Sequence, residues 1–171
     1  MAAKIKPVFV AVDTNVLIDQ AGGNENVLDA LEIIRRRFRD ADFIVTPTVI
    51  EELGEIYATR TGQESDLAYK ALKSLLSWGY TPAPIPPVGM GIAEQIGLKL
   101  RLRNVIPDEE KNDALVIAEA AFLDCSLLLT SDAHLLTAQE SPLLLKILRE
   151  SHVDGDELVI GSPRTIAKRF Y

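Results

Sequence analysis

Acidic residues stand at four points of the chain where a strand ends or a helix begins. Asp13 follows the apolar stretch "VFVAV", and Asp132 follows "SLLLTS". Asp113 opens "NDALVIAEAAF", and Glu52 lies within "TPTVIEELGEI". No lysine or arginine stands immediately beside Asp13, Glu52 or Asp132, and clustered carboxylates repel one another unless a cation joins them. Such a cluster predicts a divalent metal site, and oxygen ligands without a His/Cys cluster favour Mg²⁺ or Mn²⁺ over Zn²⁺.

A carboxylate site of this kind could activate water and stabilise in-line displacement at a phosphodiester. Each acid also has a simpler explanation when taken alone. Asp13 and Asp132 could cap the helices that follow them, and Asp113 could favour a helix start through the helix dipole. Glu52 could be an ordinary acid on a solvated helix.

Helical periodicity indicates where the acids of the two longer helices point. Glu52 flanks the apolar stripe of its helix, whereas Glu51 points towards water. Asp113 shares a face with apolar residues of a helix that is apolar almost all round. We expect Glu119, which shares the other face with Asn112, to be exposed to water.

Strands alternate with helices along the chain. Because the strands are continuous apolar runs, they predict a parallel sheet covered by helices on both faces, with ligands beyond the carboxyl ends of its strands. The predicted strands are Val8–Val12, Asp42–Thr46, Ser126–Thr130 and Asp156–Ile160. The Pro-rich stretch Tyr80–Gly89 predicts a short edge strand or a loop. The predicted helices cover 24–39, the segment after Pro47, 65–78, 91–102, 110–123 and the closing "SPRTIAKRF".

Length and composition indicate a single α/β domain over residues 1–171. The formal net charge of −7 argues against a broad electrostatic grip on nucleic acid, but it suits a site that gathers acids around cations. The one cysteine, Cys125, allows no internal disulfide, which fits a reducing cytoplasm. The longest apolar runs are far too short for a membrane span.

Four stretches taken in order, "VDTNVLID", "TPTVIEEL", "NDALVIAEA" and "LLTSDAHLL", resemble the PIN-domain family of metal-dependent ribonucleases. The resemblance implies a three-layer α/β/α fold with a mostly parallel sheet of about five strands. It matches Asp13, Glu52, Asp113 and Asp132 to the family's metal-binding and catalytic acids. It also matches Asn15 and Thr130 to polar residues that support the first and last of these acids.

The resemblance implies endonucleolytic cleavage of RNA with Mg²⁺ or Mn²⁺, often by a homodimer. Many bacterial members are VapC-type toxins that a cognate antitoxin protein holds inactive. This chain carries a surplus, between Thr61 and Ile106, over a typical toxin of that type. Two other functions stay open: a catalytically silent domain that binds RNA or protein, and a phosphohydrolase acting on small phosphate esters. Against the second, Asp13-Thr14-Asn15 lacks the paired Asp-x-Asp nucleophile of one large phosphatase class.

Overall fold

A computed structural model of the chain describes residues 8–153 and 157–170. Its centre is a five-stranded sheet in the order β3-β2-β1-β4-β5, and every neighbouring pair of strands is parallel. The strands are β1 (Val8–Val12), β2 (Ala41–Val45), β3 (Tyr80–Pro82), β4 (Leu127–Leu129) and β5 (Val159–Gly161). Helices flank this sheet, so the predicted α/β architecture is confirmed.

The helices follow the strands in the alternation that the sequence predicts, with further helices between them. They are α1 (Thr14–Ala21), α2 (Glu25–Arg37), α3 (Pro47–Thr59), α4 (Gln63–Ser74), α5 (Pro87–Leu102), α6 (Lys111–Phe122), α7 (Ala133–Glu140), α8 (Leu143–Glu150) and α9 (Pro163–Lys168). Helix α5 packs on α6, α3 packs on α4 and α2 packs on α9. None of the helices within the described residues combines the length and apolar character that crossing a bilayer requires.

The central strands bring their carboxyl ends to one edge of the sheet. Ala11 of β1 lies in register between Ile44 of β2 and Leu128 of β4, and all three are buried. One residue past the strand, the Asp13 backbone N–H still donates to the Leu129 carbonyl at 2.9 Å. The residues that follow β1 and β4 are therefore side by side.

The Pro-rich stretch forms both an edge strand and a helix start. Strand β3 lies at the edge of the sheet, as the prolines predict, because proline cannot donate a ladder hydrogen bond. Helix α5 begins at Pro87, earlier than the predicted Gly91, since proline suits the first helical position. The predicted last strand begins at Asp156, which lies outside the described residues, and β5 covers Val159–Gly161.

Helix α6 is buried on nearly every side, between α5, α3 and α7. The expectation that Glu119 faces water is wrong, because this side chain is 0% exposed. Asn112, its predicted companion, is exposed at the start of the helix. The apolar pattern of α6 reflects packing against several neighbours, so a second, solvated face exists only in its first turn.

Candidate active site

Asp13 occupies the turn between β1 and α1, where it is only 5% exposed. Its side chain caps α1 by accepting from the Thr14 backbone N–H at 2.8 Å. Burial nevertheless raises the pKa of Asp13 from 3.8 to about 6, and Glu52 and Asp132 raise it further while the Thr130 and Thr14 hydrogen bonds lower it. The capping explanation is therefore correct but incomplete, since capping bonds alone would favour the ionised form.

A polar network joins the end of β1 to the end of β4. The Thr130 hydroxyl donates to Oδ2 of Asp13 at 2.7 Å, and Asn15 Nδ2 donates to the same oxygen at 3.2 Å. Oδ1 of Asn15 accepts from the Ser131 backbone N–H at 3.0 Å. Asn15 and Thr130 thus lie where support for Asp13 requires them, and they hold its carboxylate in one orientation.

Glu52 approaches the same turn from the second turn of α3. The Thr14 hydroxyl donates to Glu52 Oε2 at 2.6 Å, which ties α3 to the residue next to Asp13. Glu52 is half-buried and Glu51 is exposed, as the helical periodicity predicts. Thr14 itself is buried, so this contact is shielded from bulk water.

Asp113 lies in the first turn of α6 and is half-buried. Burial raises the pKa of its carboxyl from 3.8 to about 7, with further increases from Asp132, Asp13, Glu110 and Glu52 in that order. A residue at a helix start would ordinarily keep its charge easily, because the dipole favours an anion there. Burial of Asp113, reinforced by the neighbouring acids, outweighs that preference, so the helix-start explanation is insufficient.

Asp132 caps α7 from the end of β4. Its Oδ1 accepts from the backbone N–H groups of His134 at 2.7 Å and Leu135 at 3.2 Å. The His134 ring, beyond this cap, lies 3.6 Å from a carboxylate oxygen of Glu110. His134 and Glu110 therefore connect the starts of α7 and α6 on either side of the acids.

The four predicted acids share one electrostatic environment, since the charges of Asp132, Asp13 and Glu52 all act on Asp113. Among the ion pairs of residues 8–153 and 157–170, none involves any of these four acids. Within the same residues, no three His, Cys, Asp or Glu side chains are arranged as a ready metal-binding group. Within the described residues, the site is thus a cluster of acids whose charges no lysine or arginine ion pair balances.

This donor set suits a hard divalent cation. All four side chains offer carboxylate oxygens, which Mg²⁺ and Mn²⁺ prefer, and burial together with the neighbouring acids raises the pKa of Asp13 and Asp113. Three hydrogen bonds hold the buried Asp13 carboxylate, whereas Glu52 and Asp132 are half-buried.

Thr14, Glu110 and Glu119 contribute to this region although the sequence analysis did not select them. Thr14 could have been found because it follows a strand-end acid directly and begins a helix. Glu119 could have been found because it is an acid within an otherwise apolar, buried helix. Nothing in the local sequence of Glu110 indicates its contact with His134, which depends on the tertiary fold.

The parallel sheet, its helical layers and the acids beyond the strand ends define an α/β domain with a candidate site at the carboxyl edge of its sheet. A protein-family model described as PIN domain matches residues 10–140. The chain therefore belongs to the PIN-domain family, whose members are generally nucleases and typically use divalent metals. No curated protein matches the chain in a sequence search.

Proposed function

We propose that the protein is a Mg²⁺- or Mn²⁺-dependent endoribonuclease with Asp13, Glu52, Asp113 and Asp132 as its metal-binding and catalytic acids. The observation that carries this proposal is that the charges of Asp13, Glu52 and Asp132 all act on Asp113 beyond the ends of β1 and β4, while no ion pair of the described residues involves these acids. Burial and the neighbouring acids raise the pKa of Asp13 to about 6 and that of Asp113 to about 7. A structure that only needed capping residues there would have no reason to accumulate negative charge.

The chain's own residues have distinct roles in this proposal. Asn15 and Thr130 orient Asp13, Thr14 orients Glu52, and the start of α6 carries Asp113. A divalent ion held by the acids would supply Lewis-acid activation of the phosphodiester and of water. No side chain of the cluster stands out as a separate general base.

The direct test is cleavage of a fluorescent single-stranded RNA by the purified protein in Mn²⁺, Mg²⁺ or EDTA. We expect cleavage only with metal, and loss of it by about a hundredfold or more in Asp13→Asn. Asp19→Asn is the matched control, because Asp19 lies later on α1 and outside the polar network. Equal turnover by Asp13→Asn and the parent protein would overturn the mechanism. A DNA strand of the same sequence and a chromogenic phosphate monoester test the substrate class.

A second candidate is a catalytically silent PIN domain that binds RNA or protein. The observation that favours it is that no three acids of the described residues stand ready to hold a metal ion. Calorimetric titration of the parent protein with Mn²⁺ separates the two functions. Binding that Asp13→Asn lacks supports the nuclease, whereas RNA binding without any Mn²⁺ uptake supports the silent domain.

The toxin role is a finer proposal that rests on the resemblance to VapC-type proteins. It includes a homodimer, an antitoxin protein as partner, and a cytoplasmic location. The net charge of −7 suits a basic protein partner. A small upstream reading frame for a DNA-binding protein, and relief of growth arrest when both frames are expressed, would support this role. Harmless expression of the active protein alone would contradict it.

A further inference from the structure

Helix α3, which carries Glu52, begins without a cap of its own. Its N-cap residue, Thr46, makes no side-chain capping bond, and Pro47 at the first helical position has no N–H to donate. The first available donor is the Thr48 backbone N–H. It donates to Glu119 Oε2 at 3.1 Å, and the Thr48 hydroxyl donates to Glu119 Oε1 at 2.7 Å. Glu119 of α6 thus accepts the hydrogen bond at the start of α3 that the Thr46 side chain does not accept.

The group that caps α3 is a buried carboxyl, and burying a charged carboxylate costs free energy. Glu119 is 0% exposed, and burial raises the pKa of its carboxyl while the bonds from Thr48 lower it. No ion pair of the described residues involves Glu119. Threonine is itself a preferred N-cap residue, so the Thr46 hydroxyl could have capped α3 without a charge buried in another helix, but it makes no capping bond. The distant glutamate does something that a local cap cannot do, because it fixes α3 relative to α6.

The two helices joined by this bond carry two of the site acids. Glu52 lies four residues, about one turn, after Thr48, and Asp113 lies six residues before Glu119. We infer that Glu119 is a positioning residue that sets Glu52 at its distance from Asp113. This inference rests on the proposed function, since the two acids matter together only if they share a metal ion.

The test compares Glu119→Gln, Thr48→Val and Thr48→Ser with a control of similar size elsewhere. Glu119→Gln keeps one carbonyl acceptor, Thr48→Val removes only the hydroxyl donor, and Thr48→Ser keeps both donors. Tyr80→Phe is the control, because it removes the part-buried 2.8 Å bond from the Tyr80 hydroxyl to Gln20, which joins β3 to α1 and involves neither α3 nor α6. The melting temperature of each variant is measured, and its Mn²⁺ affinity is compared with that of Tyr80→Phe, which shows how much affinity a similar loss of stability removes by itself. Thr48→Val and Thr48→Ser keep the test open if Glu119→Gln does not fold.

Two readouts are used: Mn²⁺ affinity by titration calorimetry, and amide hydrogen exchange without metal. We expect Glu119→Gln and Thr48→Val to weaken Mn²⁺ binding by about tenfold or more, while Thr48→Ser and Tyr80→Phe bind like the parent protein. We also expect exchange to rise in the first turns of α3 through Glu52 and to stay unchanged in α2 and α9. Parent-like Mn²⁺ affinity in Thr48→Val and Glu119→Gln would overturn the positioning role.

The exchange measurement keeps the two proposals apart. If the parent protein itself binds no Mn²⁺, the proposed function fails, and exchange alone decides the role of Glu119. Faster exchange confined to the start of α3 then supports positioning of Glu52. Faster exchange spread evenly over the molecule, as a general loss of stability would cause, overturns it.

Discussion

Two ends of the same sheet handle charge in opposite ways. At the amino end of β3, the guanidinium of Arg35 lies 4.2 Å from the centre of the Phe43 ring and 4.8 Å from that of Tyr80, and donates to the Trp78 carbonyl at 2.8 Å. At the carboxyl end, Asp13 and Asp113 lie among other carboxylates, and no ion pair within residues 8–153 and 157–170 involves either of them. The basic run "RRRFR", Arg35–Arg39, is the more conspicuous feature in the sequence. The acids Asp13 and Asp113 are nevertheless the charges that lie among like charges without an ion pair in the described part of the chain. For locating a candidate site in this protein, buried acids without a cationic neighbour are therefore more informative than a run of several basic residues.

The largest expected difference between the two ends is in activity. Asp113→Asn should lower metal-dependent RNA cleavage by about a hundredfold or more, because it removes a group proposed to hold the ion. The variant should fold at least as well as the parent protein at pH 7, since a repelled charge is removed. Glu109→Gln is the control, because Glu109 is an exposed acid just before α6. Cleavage rates and melting temperatures of both variants check this, and an active, destabilised Asp113→Asn would contradict it.

The acidic end should also make metal-free stability depend on pH. The folded protein binds the protons of Asp13 and Asp113 more tightly than the unfolded chain, whose carboxyls titrate near 3.8. The contribution of these two carboxyls to stability should therefore be fully present below about pH 4 and be lost as the pH rises through about 6 and about 7. For Asp13 alone, the rise from 3.8 to about 6 corresponds to about 3 kcal/mol.

Urea unfolding of the parent protein and Asp13→Asn at pH 4 and pH 7 in EDTA isolates this contribution. Between these two pH values, the variant should gain about 3 kcal/mol relative to the parent protein, because asparagine carries no charge to repel. Saturating Mn²⁺ should abolish most of that difference at pH 7, since the ion binds the ionised carboxyls. If the free energies of unfolding of the two proteins differ by the same amount at pH 4 and pH 7, the pKa of Asp13 is not raised in the folded protein.

Substitutions at the basic end should instead change the stability of the protein and leave its RNA cleavage unchanged. Arg35→Met should lower the free energy of unfolding by about 2 kcal/mol, because it removes two cation–π contacts and the bond to the Trp78 carbonyl. RNA cleavage at a temperature where both proteins are folded should be unchanged. Arg36→Met is the matched control, since the Arg36 side chain is 73% exposed and pairs with Glu32 on the same helix. Loss of cleavage in Arg35→Met would indicate that the basic end binds RNA.

The sequence allowed the sheet and the acids to be predicted because both leave local signals. A strand buried on both faces is a continuous apolar run, and an acid directly after it stands at the carboxyl edge by construction. Periodicity separated Glu52 from Glu51, which the structure places half-buried and exposed respectively. The metal-binding and catalytic roles of the four acids stay predictions.

The tertiary bonds could not be predicted, since they join residues far apart in the chain. Thr14 to Glu52 spans 38 positions and Thr48 to Glu119 spans 71. The wrong expectation for Glu119 came from treating α6 as a helix with one wet face, although its composition already indicated burial on all sides. A buried helix has no solvent to receive a charged residue, so any acid on it must have a partner in another element.

The smallest expected effect concerns the bond that links α3 to the turn after β1. Thr14→Val keeps the shape of the side chain and the backbone capping bond to Asp13, but removes the hydroxyl that donates to Glu52. Mn²⁺ affinity should fall by about tenfold, because Glu52 loses the donor that orients it, and Thr14→Ser should restore it. Titration calorimetry of the two variants measures this. If both variants bind Mn²⁺ like the parent protein, metal binding at the acidic end does not depend on a prior orientation of Glu52. The two ends would then differ further, since the contacts of Arg35 at the basic end fix its side chain before any ligand binds.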